Sequence, residues 1–193
     1  MGKLYDEITE EHIHFIEQQN MFFVGTAAEE GTVNISPKGM DSFRVISNRQ
    51  IAWLNLTGSG NESSAHVQIN PRMTIMFCAF EGAPLILRLY GQARVLHRND
   101  DDWEPLVSLF PETAGTRQVF VLDIDQTQSS CGKAVPLYEF NEQRDALKKS
   151  SERRGQKGIE QYWLHANQKS LDGFPTRIKE LTGLEDNPED NLR

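Results

Sequence analysis

The residues best placed to do chemistry lie in one short run, Asn55-Leu56-Thr57-Gly58-Ser59-Gly60-Asn61-Glu62-Ser63-Ser64-Ala65-His66. It follows the apolar Ile51-Ala52-Trp53-Leu54 and leads to Asn70-Pro71. Thr57, Ser59, Asn61 and Ser63 supply hydroxyls and an amide, while Gly58 and Gly60 let the backbone approach a ligand and turn its N–H groups toward it. A helix starting near Asn61 adds the unpaired donors of its first turn, so the segment can cradle an anion. The same composition also serves as a plain turn with a helix cap. The phosphate loop of nucleotide hydrolases needs glycine-lysine-serine or -threonine directly before its helix, and Gly60-Asn61-Glu62 is not that. Cations for an anion must therefore come from other strands, with Lys38, Arg44, Arg88 and Arg94 as candidates. Each can equally be a solvated surface charge.

Other chemistries find less support. His12, His14, His66, His97 and His165 are spread out and make no metal-ligand spacing. Neither Cys131 nor any serine has a recognisable nucleophile setting, and no acid–base team stands out. A chain with few catalytic groups and a prepared anion cradle points to chemistry carried by a bound cofactor.

The elements that must position this run read mostly as strands. Thr9 with Glu10 and Glu11 starts a helix. Strands follow over 21–27, 32–36, 42–47 and 50–54. A short helix over 62–69 is stopped by Asn70-Pro71. The segment 72–80 is apolar on both faces, which predicts burial on two sides or cover by a second subunit. The segment 85–97 alternates, with Leu87, Leu89, Gly91, Ala93 and Val95 on one face. A short acid-started helix comes after Asp100-Asp101-Asp102, then a strand over 118–125. The pattern is an antiparallel barrel with peripheral helices, not an alternating parallel sheet. From Asn141 the character becomes helical and charged, broken at Gly155 to Gly158. The expected layout is a barrel domain over 1–140, a helical extension over 141–183 packed on the barrel or on a partner subunit, and a flexible tail over 184–193.

Composition narrows the class. The 193 residues carry 28 acidic and 20 basic side chains, a net charge of −8, which argues against nucleic acid or an anionic membrane as partner. No apolar run has spanning length, and the acidic N-terminus is no leader, so the expected location is cytoplasmic. Cys78 and Cys131 make neither a disulfide framework nor a zinc site.

Four segments, taken in order, carry a resemblance. They are Asn34-Ile35-Ser36-Pro37-Lys38-Gly39-Met40-Asp41-Ser42-Phe43-Arg44-Val45, Ala52 to Glu62, Asn70-Pro71-Arg72, and Leu89-Tyr90-Gly91-Gln92-Ala93-Arg94-Val95. Together they strongly resemble the pyridoxamine 5′-phosphate oxidase-related, FMN-binding split-barrel family, over about Phe15 to Pro136. The resemblance implies a mainly β fold, a six-stranded antiparallel split barrel with peripheral helices. It implies a homodimer with FMN at the subunit interface, and an oxidoreductase acting on a small-molecule substrate or an electron donor such as NAD(P)H. Residue by residue, it implies that Thr57, Ser59, Asn61 and Ser63 hold the phosphate, with Asn55 and Gly60 in the same segment. Lys38 and Arg44 would face the phosphate or the flavin ring, and Arg94 would contribute from the long strand.

Two departures matter. Where the oxidase proper resembles an arginine-lysine pair gripping the phosphate, this chain has Glu62-Ser63, so Glu62 must point away, cap its helix or meet an arginine. The C-terminal region has Trp163, Asn167, Ser170 and Asp172 where the oxidase carries substrate-gripping basic residues, which argues against pyridoxamine phosphate as substrate. The split barrel also resembles proteins that hold deazaflavin or haem without catalysis. His66 and His97 are the haem-ligand candidates for that carrier, sensing or protective alternative.

Overall fold

The computed structural model describes residues 2–185. Its strands are β1 (Lys3–Tyr5), β2 (Phe22–Thr26), β3 (Asn34–Lys38), β4 (Phe43–Ser47), β5 (Gln50–Leu56), β6 (Arg72–Cys78), β7 (Ile86–Leu96) and β8 (Thr116–Ser130). The helices are α1 (Glu10–Glu17), α2 (Glu62–Ile69), α3 (Trp103–Val107), α4 (Ala146–Ala166) and α5 (Ile178–Leu181). All strand pairings are antiparallel, in the order β3-β2-β6-β7-β8-β5-β4, with β1 added to β8.

The strand count is therefore eight, not six, and the path is open at β3 and β4. Length explains one of the two extra strands, β1. The 15 residues of β8 pair with β5 through Thr116–Asp123 and still leave Thr127–Ser129 free on the same edge, where β1 binds. The two ends of this open sheet meet through side chains, not through a ladder. Phe22 of β2 lies 5.0 Å from the Phe43 ring of β4 and 6.4 Å from Trp53 of β5, although several strands separate them along the sheet.

One core fills this interior: Val24, Trp53, Ile75, Phe77, Leu87, Leu89, Phe120 and Leu122, with Phe15 and Ile16 from α1. A second core lies on the outer face of β5 and β8, where Ala52, Leu54, Val119 and Val121 pack under Trp103 and Phe110. Burial on two sides thus belongs to β5 and β8. On β6, Thr74 and Met76 stay half-buried, whereas the outer face of β5 and β8 lies under α3. Gly91 sits at a register shift between β7 and β8, where an added Cβ would run into the carbonyl oxygen of Asp123. Only glycine permits that approach.

The first helix begins at Thr9 as its sequence predicts. His12 takes the place usually held by Glu in the capping box, since its Nδ1 accepts from the Thr9 N–H at 3.2 Å. Further on, α4 is interrupted at Gly155, whose φ of 62° and ψ of 172° leave the helix. Ile159 and Trp163 beyond the kink pack with Ile178, and Leu184 joins them. The rest of the tail expected over 184–193 lies outside the described residues from 186 onward. Among the described residues no helix is long and apolar enough to cross a membrane.

Candidate anion-binding site

Three elements converge on a cavity of about 310 Å³: edge strand β3, the β5-to-α2 loop and the start of β8. The period of two along β3 turns Asn34, Ser36 and Lys38 inward, while Ile35 is 68 % exposed and Val33, just before the strand, 70 %. Pro37 can sit here because β3 is an edge strand, paired only with β2. The end of β5 contributes Asn55, and the loop contributes Gly58, Ser59, Gly60, Asn61 and Ser63.

The N-terminus of α2 opens on this cavity, and its first N–H groups have no intrahelical acceptor. Asn61 occupies the N-cap position but makes no capping bond. It is 2 % exposed, and both Nδ2 and Oδ1 are buried without a partner. Ser63 Oγ is 3.2 Å from both Asn34 Nδ2 and Thr26 Oγ1. Asn55 donates to Gln118 Oε1 at 3.0 Å, and Gln118 in turn reaches Ser64 Oγ and His97 Nε2.

Two cations face the cavity, Lys38 and Arg117. Neither forms an ion pair among the described residues. Burial, with the nearby Arg117 charge adding to it, pushes the Lys38 ammonium down to about 8 from the usual 10.5. Its Nζ lies 5.3 Å from the centre of the Trp53 ring. Arg117 is 3 % exposed, and burial lowers its guanidinium to about 9, opposed by the Tyr162 hydroxyl. Arg117 Nη1 donates to the Gly60 carbonyl at 3.1 Å and to Asn167 Oδ1 at 2.6 Å, while its Nε is buried without a partner. Glu62 also borders the cavity, but its Oε2 accepts the Leu171 N–H at 2.9 Å, which turns the carboxylate toward the C-terminal segment.

Of the residues singled out from sequence, Lys38, Asn55, Ser59, Gly60, Asn61 and Ser63 line this one cavity. Thr57 is buried behind it, donating to the Gly115 carbonyl at 2.8 Å and accepting from Trp163 Nε1 at 2.8 Å. Arg44 is not brought there within the chain. Its guanidinium is taken up by Asp41, the Leu109 and Phe43 carbonyls and the Phe110 ring. Arg94 lies beside Asp102 and Asp123, both at 3.7 Å. His66 and His97 are fully buried, meet Thr26 and Gln118, and do not line the cavity; burial lowers His97 to about 4 against the opposing pull of Asp100, so it is neutral.

Asn34, Ser36 and Arg117 escape a reading by motif. Alternation would have flagged the first two, since they share the inward face of Lys38. For Arg117 the signal is a lone cation opening a strand whose next residues are buried on both faces.

The family model described as Pyridoxamine 5′-phosphate oxidase matches residues 8–131. A pyridoxamine 5′-phosphate oxidase family protein of Aspergillus flavus, ustO, is 35 % identical over 193 residues, covering 91 % of this chain and 78 % of that protein. Among solved structures, a candidate pyridoxamine 5′-phosphate oxidase of Lactobacillus delbrueckii aligns with a TM-score of 0.52 at 18 % identity. The alignment covers 64 % of this chain and 94 % of that one. A histidine-to-alanine variant of Group A Streptococcus HupZ aligns with a TM-score of 0.50 at 20 % identity, over 64 % of this chain and 99 % of that one. At these identities the structural likeness speaks to fold alone.

Proposed function

The chain belongs to the pyridoxamine 5′-phosphate oxidase family, and from that premise we propose that it is an FMN-binding oxidoreductase whose cavity between β3, α2 and β8 holds the flavin phosphate. The observation that carries this reading is electrostatic. In a chain of net charge −8, two largely buried cations, neither in an ion pair among the described residues, meet an unpartnered Asn61 side chain at a helix N-terminus. A buried charge without a counter-ion is costly, and a phosphate dianion would offset both. The donor set suits that group: Lys38 and Arg117 as cations, Ser59, Asn61 and Ser63 as neutral donors, and the first N–H groups of α2.

The cavity is at the small end for cofactor sites, so it suits the phosphate and adjoining chain of FMN better than the whole molecule. The ring would then lie outside it, and we place it at an interface with a second copy. Exposed apolar side chains support a homodimer: Ile35 on the edge strand and Val33 just before it, Leu137 at 74 % and Tyr138 at 63 %. Bound flavin would supply hydride or electron exchange with a small-molecule substrate or a nicotinamide donor. This chain's residues would bind and orient it, with Lys38 favouring negative charge nearby. Two free cysteines fit a reducing, cytoplasmic setting.

The test is the visible spectrum of the purified protein, followed by NADH or NADPH without oxygen. Yellow protein bleached by a nicotinamide is the expected result, and a colourless protein that takes up no added FMN would refute the proposal. Lys38→Ala and Asn61→Ala should weaken FMN binding, whereas Lys149→Ala, on the exposed face of α4 beside Asp145, should not.

A further inference from the structure

Building on the flavin-phosphate reading, we infer that the C-terminal extension is part of the anion site: Asn167 is the positioning residue that holds Arg117 against the loop, and Arg117 is the site's second cation. The family match ends at residue 131, and Asn167 lies well beyond it.

Asn167 is fully buried and uses its whole amide. Its Oδ1 accepts from Arg117, and its Nδ2 donates to the Gly58 carbonyl at 3.2 Å and the Ser59 carbonyl at 3.4 Å. Arg117 takes the next carbonyl, that of Gly60. Three consecutive loop carbonyls are thus drawn toward the extension or the guanidinium. The peptides are trans, so the N–H groups of Ser59 and Gly60 point the opposite way from the carbonyls that Asn167 holds. The extension therefore turns the negative ends of these dipoles away and leaves donors for an anion.

A purely structural tie would not need the charge. The loop is already fastened to the extension by Trp163 to Thr57, by Leu171 to Glu62 and by Asn167 itself. Arg117 meets only neutral acceptors there, and its buried Nε has no partner. A guanidinium so placed is a standing cost that an anion would offset. Asn61 supplies an independent sign, because an N-cap amide with both polar atoms buried and unpartnered is aimed at a ligand absent from the chain itself.

The experiment is calorimetric titration of inorganic phosphate into cofactor-free, full-length protein, with near-ultraviolet circular dichroism to check the fold. Wild type should bind phosphate. Arg117→Gln should weaken it by about tenfold or more, the scale of a lost hydrogen bond to a charged group, and Arg117→Lys should recover most of the loss. Asn167→Ala, which keeps the charge but frees it, should weaken binding by roughly threefold to tenfold. Wild-type affinity in Arg117→Gln or in Asn167→Ala would overturn the inference, as would a wild type that ignores phosphate. Should Arg117→Gln fail to fold, the comparison of Arg117→Lys with Asn167→Ala decides, and equal wild-type affinity in both refutes it. Phosphate binding that follows this order in a protein that takes up no FMN would support the inference while sinking the flavin reading.

Discussion

Replacing Lys38 with methionine should make the cofactor-free protein more stable and its anion affinity worse. The ammonium sits at about 8 where an exposed lysine sits at 10.5, a difference worth roughly 3 kcal/mol against the charged form. Lys38 keeps part of its surface in water, so solvent screening takes about half of that. Losing the contact with the Trp53 ring at 5.3 Å returns about 0.5–1 kcal/mol. Methionine has nearly the same shape, so a net gain of about 0.5–1 kcal/mol remains. For a chain of this size that raises the melting temperature by roughly 1–4 °C. The sign with pH is fixed. Unfolded Lys38 holds its proton up to about 10.5, so the penalty is full below about 8, shrinks between 8 and 10.5 and is gone above. The gain in Lys38→Met should shrink over the same window. Thermal denaturation of the cofactor-free proteins at pH 7 and pH 10, with and without phosphate, reads all of this. A variant that melts at or below wild type at pH 7 would refute the claim that Lys38 is a strained, unpaired cation.

The same titration predicts that FMN affinity falls by about tenfold from pH 7 to pH 9, as the charged fraction of Lys38 drops from roughly 0.9 to 0.1. Calorimetry at fixed ionic strength should show this slope in wild type and a shallower one in Lys38→Arg, where Arg117, lowered to about 9, is the cavity cation that still titrates. Gly91→Ala should cost about 3 kcal/mol or more, because the methyl would meet the Asp123 backbone carbonyl, which cannot swing aside; the urea midpoint measures it. Arg94→Ala should leave flavin affinity unchanged and stability within about 0.5 kcal/mol, since its partners Asp102 and Asp123 are exposed and 3.7 Å away.

The strands around the site were legible because β2, β4, β5, β6 and β7 each bury one alternating face or end at a clear breaker, as Asn70-Pro71 does before β6. What escaped was the part of the fold that depends on partners far along the chain. The tripeptide Lys3-Leu4-Tyr5 has no pattern of its own and becomes a strand only because β8 overruns β5 by enough residues to offer an edge. The double-sided apolar run of 72–80 and the similar one in β8 look alike in sequence. Only the placement of α3 decides that the second face of β8 is the one covered in this chain.

The site follows the same division. Its loop could be read locally as a candidate, because glycine, hydroxyl and amide residues before a short helix either cap a plain turn or present donors to a ligand. Its charge could be read only in part: Lys38 is among the candidate cations, but Arg117 is not. Arg44 and Arg94 lie within the runs that carry the resemblance, yet each has carboxylates at hand, and a cation so paired offers less to a phosphate. Lys38 and Arg117 form no ion pair among the described residues, although Glu62 borders the same cavity, and that is a property of everything placed around them, from Trp53 beneath the ammonium to Asn167 fifty residues after the guanidinium. Glu62 makes the point from the other side. Its charge at the mouth of the candidate anion site reads as an obstacle, and the Leu171 N–H, supplied by the extension, draws one of its oxygens toward the C-terminal segment. On the proposed reading the extension both engages an unfavourable charge and steadies a favourable one, so an anion would draw part of its binding energy from contacts beyond the barrel.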